Sequence, residues 1–139
     1  MLTEKELLLA KAACDARKNA YAPYSHFTVG AALISESGNV FCGSNIENAS
    51  YGATVCAERA AFSQAVSQGF RRFIAIAIAG AKENENAFAC TPCGICRQVM
   101  AEFCQKDFKI ILVNQNNLAS SSVKTLDELF PSAFDHTSL

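Results

Sequence analysis

The stretch CAERAAFSQAVSQGFRRFIAIAIA, residues 56–79, contains the change of pattern that decides the fold. Its first half reads as a helix over 56–68, rich in alanine and carrying Phe62, Ala65 and Val66 as an apolar stripe. Gly69 is the residue type that closes such a helix, because it enters the left-handed region without a steric penalty. FIAIAIA, residues 73–79, then reads as a buried strand by its length and its β-branched isoleucines. A helix that runs straight into a fully buried strand belongs to an α/β layered domain.

Working outward, the same alternation continues downstream. A loop is expected from Lys82 to Thr91, Pro92 stands at a helix start where its missing N–H costs nothing, and a helix follows over about 93–104. KIILVN, from 109, is a second buried strand, and NQNNLASS, from 114, is a turn and loop. Thr125 to Glu128 has the form of a capping box ahead of a short helix, LDELF. Upstream, Thr3 to Glu6 is another capping box, opening a helix expected to end near Asn19. Pro23 breaks the chain, and TVGAALISESGNVFCGS reads as a hairpin of strands at about 28–35 and 40–44, turning at Glu36 to Asn39. An antiparallel hairpin therefore leads into strands that are expected to run parallel.

Bulk composition narrows the functions. With 139 residues and 50% hydrophobic content, the chain is expected to be a single domain, 1–139, around one core. Twelve basic and 13 acidic residues leave a net charge of -1, so no basic groove is available for nucleic acid. The longest apolar run is too short to span a membrane, and a soluble, cytoplasmic protein is expected. Seven cysteines, an odd number without a secretory signal, argue for reduced thiols rather than a disulfide framework.

Three of those thiols fall at expected helix starts. Cys93 and Cys96 lie in the first turn of one helix, and Cys56 begins another. Unpaired N–H groups and the positive end of the helix dipole favour thiolates at both places. If the fold joins the two helix starts, three thiolates would hold zinc and leave the fourth tetrahedral position for water, the catalytic arrangement. Cys90 forms an overlapping CxxC with Cys93 but precedes a proline in an extended segment, so Cys93 with Cys96 is the preferred pair, and Cys90 as a fourth ligand would close the site. A redox CxxC is the competing reading. Cys14, Cys42 and Cys104 read as small apolar residues of amphipathic elements. Glu58, two residues after Cys56, is either an ordinary first-turn glutamate or the carboxylate that moves protons beside the metal. Zinc with three thiolates carries a net charge of -1, and a guanidinium from Arg59 or Arg97 donating to a sulfur would restore its electrophilicity.

The combination of C-A-E with P-C-G-I-C-R-Q matches the signature of zinc deaminases, in which a glutamate two residues beyond the first ligand carries protons. The chain closely resembles the small three-cysteine cytidine deaminases that act on free nucleosides. The likeness runs through YAPYSHFTVGAA from 21, GSNIENASYG from 43, CAERAA from 56, PCGICRQ from 92 and TLDELFPSAF from 125. It implies a three-layer α/β/α sandwich with a mixed five-stranded sheet. It also implies zinc on Cys56, Cys93 and Cys96, with Glu58 as proton carrier and Arg59 bonded to the ligand thiolates. Asn45 and Glu47 would bind the ribose hydroxyls, Phe27 would pack on the pyrimidine, and the backbone at Ala57 would read the polar edge of the base. Phe134 would reach into the pocket of a neighbouring subunit of a homotetramer.

The implied reaction is hydrolytic deamination of cytidine and deoxycytidine to uridine and deoxyuridine, with water activated by zinc and protons moved by Glu58, in pyrimidine salvage. Deaminases of blasticidin-type aminonucleosides share CAE and PCGxCRQ, and are the nearest alternative. The N-I-E-N segment, the YAPYS segment and the near-neutral charge favour the free nucleoside. A structural zinc module would instead need a fourth tight ligand and would tolerate replacement of Glu58.

Overall fold

The computed structural model describes residues 1–139, with α1 at Glu4–Arg17, β1 at Phe27–Ser35, β2 at Val40–Ser44, α2 at Ala57–Ser67 and β3 at Phe73–Lys82. These are followed by α3 at Gly94–Phe103, β4 at Lys109–Leu112, β5 at Ser122–Thr125 and α4 at Leu126–Leu129. The five strands form one sheet in the order β2-β1-β3-β4-β5. β1 pairs antiparallel with both β2 and β3, β3 and β4 run parallel, and β5 returns antiparallel. The sheet is mixed, as expected.

Both faces of the sheet are covered. On β1, Ala31 and Leu33 face one way and Ala32 and Ile34 the other, the period-2 alternation of a strand buried on both sides. The first set meets Ile76, Ile78 and Ile110 of the sheet and Ala61, Phe62 and Met100 of α2 and α3. The second meets Ala75, Ala77 and Ile111 together with Leu9, Ala10 and Ala13 of α1. The layers are α1, sheet, then α2 with α3.

Two glycines set how closely the helices approach. A Cβ on Gly30 would come 2.1 Å from the Ala13 carbonyl oxygen of α1, and one on Gly43 would come 2.4 Å from the Ala57 carbonyl oxygen of α2. Only glycine fits such backbone contacts.

Element boundaries differ from the sequence reading in four places. α1 stops at Arg17, not near Asn19, because Asn19 and Ala20 donate to carbonyls three residues back and tighten the last turn. β3 runs on to Lys82, since Gly80, Ala81 and Lys82 still pair with Val29, Thr28 and Phe27. β4 ends at Leu112, two residues short of the expected KIILVN strand. Residues 122–124, left without an element by the sequence reading, belong to β5, a short edge strand with an exposed pattern and no apolar alternation to announce it. Both capping boxes form, with the Thr3 and Thr125 hydroxyls accepting from Glu6 N and Glu128 N. Gly69 takes φ 97°, the left-handed conformation anticipated for the end of α2.

Candidate active site

Cys56 is the N-cap of α2 and Cys93 the N-cap of α3, both with extended backbone and neither spending its thiol on a capping hydrogen bond. Both sulfurs are therefore free to point outward from the helix ends. They lie 3.7 Å apart, and with the buried Cys96 they form a cluster whose sulfurs are all within 4.8 Å of one another. Hydrogen bonds from Cys96, Arg59 and Cys93 draw the Cys56 thiol down to about 5 against the opposing effect of burial. The bond it shares with Cys56, together with burial, pushes Cys96 up.

Arg59 and Arg97, equivalent in the sequence reading, part company here. Arg59 Nη2 donates to Cys56 Sγ at 3.4 Å and lies 3.4 Å from the Thr54 carbonyl, while its buried Nε has no partner. Arg97 donates instead to the Pro92 and Leu129 carbonyls, tying the start of α3 to the end of α4. Cys90 stays outside the cluster. Its sulfur packs over Gly80, where an added Cβ would come 2.6 Å from it, and burial, with the charge of Glu58 next, pushes its thiol up to about 11.

Glu58 is the second residue of α2 and only 5% exposed. Burial raises its carboxyl to about 6, with its own backbone N–H opposing and the Cys56 thiolate reinforcing the shift. Ala57, before it, is fully buried at the first helical position, where a backbone N–H has no acceptor within the helix.

The 45–47 segment lies against the same corner because Ile46 exchanges backbone hydrogen bonds with Val55, immediately before Cys56. Asn45 is buried, its Oδ1 accepting from Val29 N at 2.9 Å and its Nδ2 donating to the Phe27 carbonyl at 2.9 Å. One of its two amide hydrogens remains available. The Glu47 carboxylate accepts from Tyr24 N at 2.9 Å, Ser25 N at 3.0 Å and the Ser25 hydroxyl. That last bond is the main cause holding its carboxyl below the usual range. Phe27, half-buried, lies beside Gly80. Phe134 lies apart from the core, 63% exposed, its carbonyl accepting from Gln98 Nε2.

Sequence reasoning missed the backbone and hydroxyl groups of Tyr24 and Ser25 that orient Glu47, and Gly80, which makes room for Cys90 and Phe27. A glycine inside a buried strand was the available signal for the second.

The cytidine and deoxycytidylate deaminase zinc-binding region matches residues 3–112. The chain belongs to that family. It is 48% identical to a cytidine deaminase of Halalkalibacterium halodurans over 128 residues, covering 91% of this chain and 92% of the relative. With a cytidine deaminase of Sporosarcina psychrophila the identity is 45%, over 89% and 87% of the two chains. The crystal structure of cytidine deaminase from Burkholderia pseudomallei superposes with a TM-score of 0.83 at 43% identity, covering 96% of this chain and 100% of the other. That from Mycobacterium tuberculosis gives 0.75 at 35% identity, over 91% and 94%.

The deaminase is thus a zinc enzyme, and its donor set fits the metal. Tetrahedral zinc with Zn–S bonds of about 2.3 Å spaces its sulfurs about 3.8 Å apart. The Cys56 to Cys93 separation of 3.7 Å meets that requirement. Three sulfurs at two helix N-termini, with a guanidinium on one of them, are the environment in which thiolates persist. No helix of the deaminase is long and apolar enough to cross a membrane.

Proposed function

We propose that the whole chain, as one unit, hydrolyses cytidine and deoxycytidine to uridine and deoxyuridine, consuming one water and releasing one ammonia. The observation that carries this reading is the buried Glu58 carboxyl beside three convergent thiols that leave the fourth position of a tetrahedral metal free. Cys56, Cys93 and Cys96 would hold zinc, which supplies a water made nucleophilic at neutral pH. Glu58 takes a proton from the attacking water and gives it to the ring nitrogen beside the amine-bearing carbon, which becomes electrophilic. The same carboxyl then takes the remaining proton of the added water and passes it to the amine, which departs as ammonia while the oxygen stays on the ring carbon. Its burial suits this double duty, because a carboxyl raised to about 6 both accepts and returns a proton near neutrality. Arg59 keeps Cys56 ionised.

The nucleoside would be held by groups already oriented. The free Asn45 amide hydrogen and the Glu47 carboxylate meet the ribose hydroxyls, Phe27 covers the pyrimidine face, and the Ala57 backbone meets its polar edge. Phe134, unused by its own core, would complete the site of a neighbouring subunit in a homotetramer. A net charge of -1 favours a free nucleoside over nucleic acid, and cytoplasmic pyrimidine salvage is the matching role.

Ammonia release from cytidine, deoxycytidine, a blasticidin-type nucleoside and a cytosine-containing single strand tests the proposal. Release from the first two alone is expected, and Glu58→Gln should lower kcat by on the order of a thousandfold while zinc stays bound. Turnover of the blasticidin-type nucleoside in preference to cytidine, or an active Glu58→Gln variant, would overturn it.

A further inference from the structure

We infer that Arg17 is a positioning residue for the nucleoside pocket: its guanidinium fixes the two chain segments that carry Phe27 and Cys90. The inference rests on the proposed nucleoside reading for what the pocket binds. Arg17 is the last residue of α1 and only 9% exposed, on the sheet face opposite the thiols. Its Nε donates to the Thr28 carbonyl at 3.0 Å and the Thr28 hydroxyl at 2.9 Å. Nη1 donates to the Glu85 carbonyl at 2.7 Å and Gln115 Oε1 at 2.9 Å, and Nη2 to the Lys82 carbonyl at 2.7 Å. A buried cation normally meets a carboxylate. This one is surrounded by neutral acceptors drawn from three separate segments.

Those acceptors mark the end of the β1–β3 ladder. Phe27 opposite Lys82 is its last pair, and Arg17 bonds the residue after Phe27 and the residue facing it. Beyond that pair, residues 83–91 form no helix or strand and must be held by other means. The bond to Glu85 holds the first turn of this loop. Gln115 continues the restraint, its Oε1 also accepting from Ala87 N at 2.9 Å and its backbone N donating to the Ala87 carbonyl at 2.8 Å.

Backbone conformation shows why such a restraint is needed. His26, immediately before Phe27, has φ 56°, and Ala89, immediately before Cys90, has φ 50°. Non-glycine residues adopt this region at a cost and stay there only where surrounding contacts over-determine them. The two strained residues each aim the next side chain at a shared cavity of about 550 Å3, lined by Phe27, Gly80, Phe88 and Cys90. Arg17 is on neither strained residue but bonds both segments. A lysine cannot replace it, because an ammonium with three donors does not reproduce the planar fork that reaches Thr28, Glu85, Gln115 and Lys82 together.

The test compares wild type, Arg17→Lys, Arg17→Met and Gln115→Leu in cytidine turnover, zinc content and chymotryptic cleavage after Phe88. Gln115→Leu leaves Arg17 in place but removes one acceptor of its Nη1 together with the relay to the loop, and keeps the test valid if Arg17→Met fails to fold. In Arg17→Lys and Gln115→Leu, KM for cytidine is expected to rise about tenfold with kcat within about threefold and one zinc per chain, the signature of lost binding geometry. Cleavage after Phe88 should accelerate in the same variants. An active wild type with unchanged KM in both variants overturns the positioning role, as does a fall of kcat in step with lost zinc. A wild type that leaves cytidine unaltered overturns the nucleoside reading itself, and the inference with it.

Discussion

Arg59 Nη2 lies 3.4 Å from Cys56 Sγ, so the residue following the buried Glu58 stabilises the thiolate of the residue two before it. Both belong to the start of α2, and no long-range packing is needed to bring them together. Arg59→Gln should raise the thiol towards its ordinary value and weaken zinc retention about 10- to 100-fold, as loss of groups that support metal ligands does. Zinc transfer to a chromogenic chelator, timed against wild type, measures this. Equal rates would mean that the contact contributes nothing to the metal site.

The proposed site divides the thiols into three ligands and a bystander. Cys56→Ala, Cys93→Ala and Cys96→Ala each take one sulfur from a cluster whose members lie within 4.8 Å, and each is expected to lose bound zinc and turnover. Cys90→Ala removes a sulfur packed over Gly80, outside that cluster, and should retain one zinc per chain. Metal analysis of the four purified variants decides the division, and zinc loss in Cys90→Ala would contradict it.

Gly43→Ala tests whether helix approach sets the metal geometry. The added Cβ would meet the Ala57 carbonyl oxygen at 2.4 Å and Ala61 N at 2.6 Å, backbone atoms that yield only if α2 moves off the sheet. That movement carries Cys56 and Glu58 away from α3. A loss of about 1–3 kcal/mol in urea unfolding is expected from such overpacking, together with weaker zinc binding. Destabilisation without any effect on zinc would show that α2 and α3 move together.

Local features of this protein were legible in the sequence and distant ones were not. The helix ends at Thr3, Thr125 and Gly69 are written in residues within a turn of one another. The meeting of three thiols was readable because Cys56 and Cys93 each mark a helix start, even though the fold must bring them together. β5 escaped because an exposed four-residue edge strand has no buried face to impose alternation. The bonds of Arg17 escaped for a different reason: most of its acceptors are backbone carbonyls, which every residue possesses.

Glu6 gives a pH dependence of stability. The Thr3 backbone N–H and the Lys109 ammonium, at 2.9 Å and 3.0 Å, hold its carboxyl below the ordinary value of 4.5. A carboxyl depressed in the folded state contributes stability above its unfolded pKa and loses it as pH falls through the folded value. The stability difference between wild type and Glu6→Gln should therefore be constant well above the ordinary value of 4.5 and shrink as pH falls below it, levelling off at a pH-independent remainder once both states are protonated. Urea titrations across that range measure it. A difference that widens on acidification would assign the shift the wrong sign.

In the proposed nucleoside site, Glu47 offers the sharpest separation of sugar recognition from base recognition. Its carboxylate is already fixed by Tyr24 N, Ser25 N and the Ser25 hydroxyl, so little ordering entropy is left to lose when a ribose hydroxyl donates to it. Glu47→Gln keeps an acceptor oxygen for the turn but surrenders the charge. Loss of a charge-assisted hydrogen bond should lower kcat/KM for cytidine by about tenfold or more. Free cytosine, which lacks the sugar, should be turned over by wild type and variant at similarly low rates. Asn45→Ala is a poorer probe, because it also orphans the Phe27 carbonyl and Val29 N and would disturb the aromatic wall as well as the sugar contact. Parallel measurement of kcat/KM for nucleoside and base therefore isolates the Glu47 contribution. An equal fall for both substrates would place the Glu47 effect on the base side of the pocket and remove the sugar assignment.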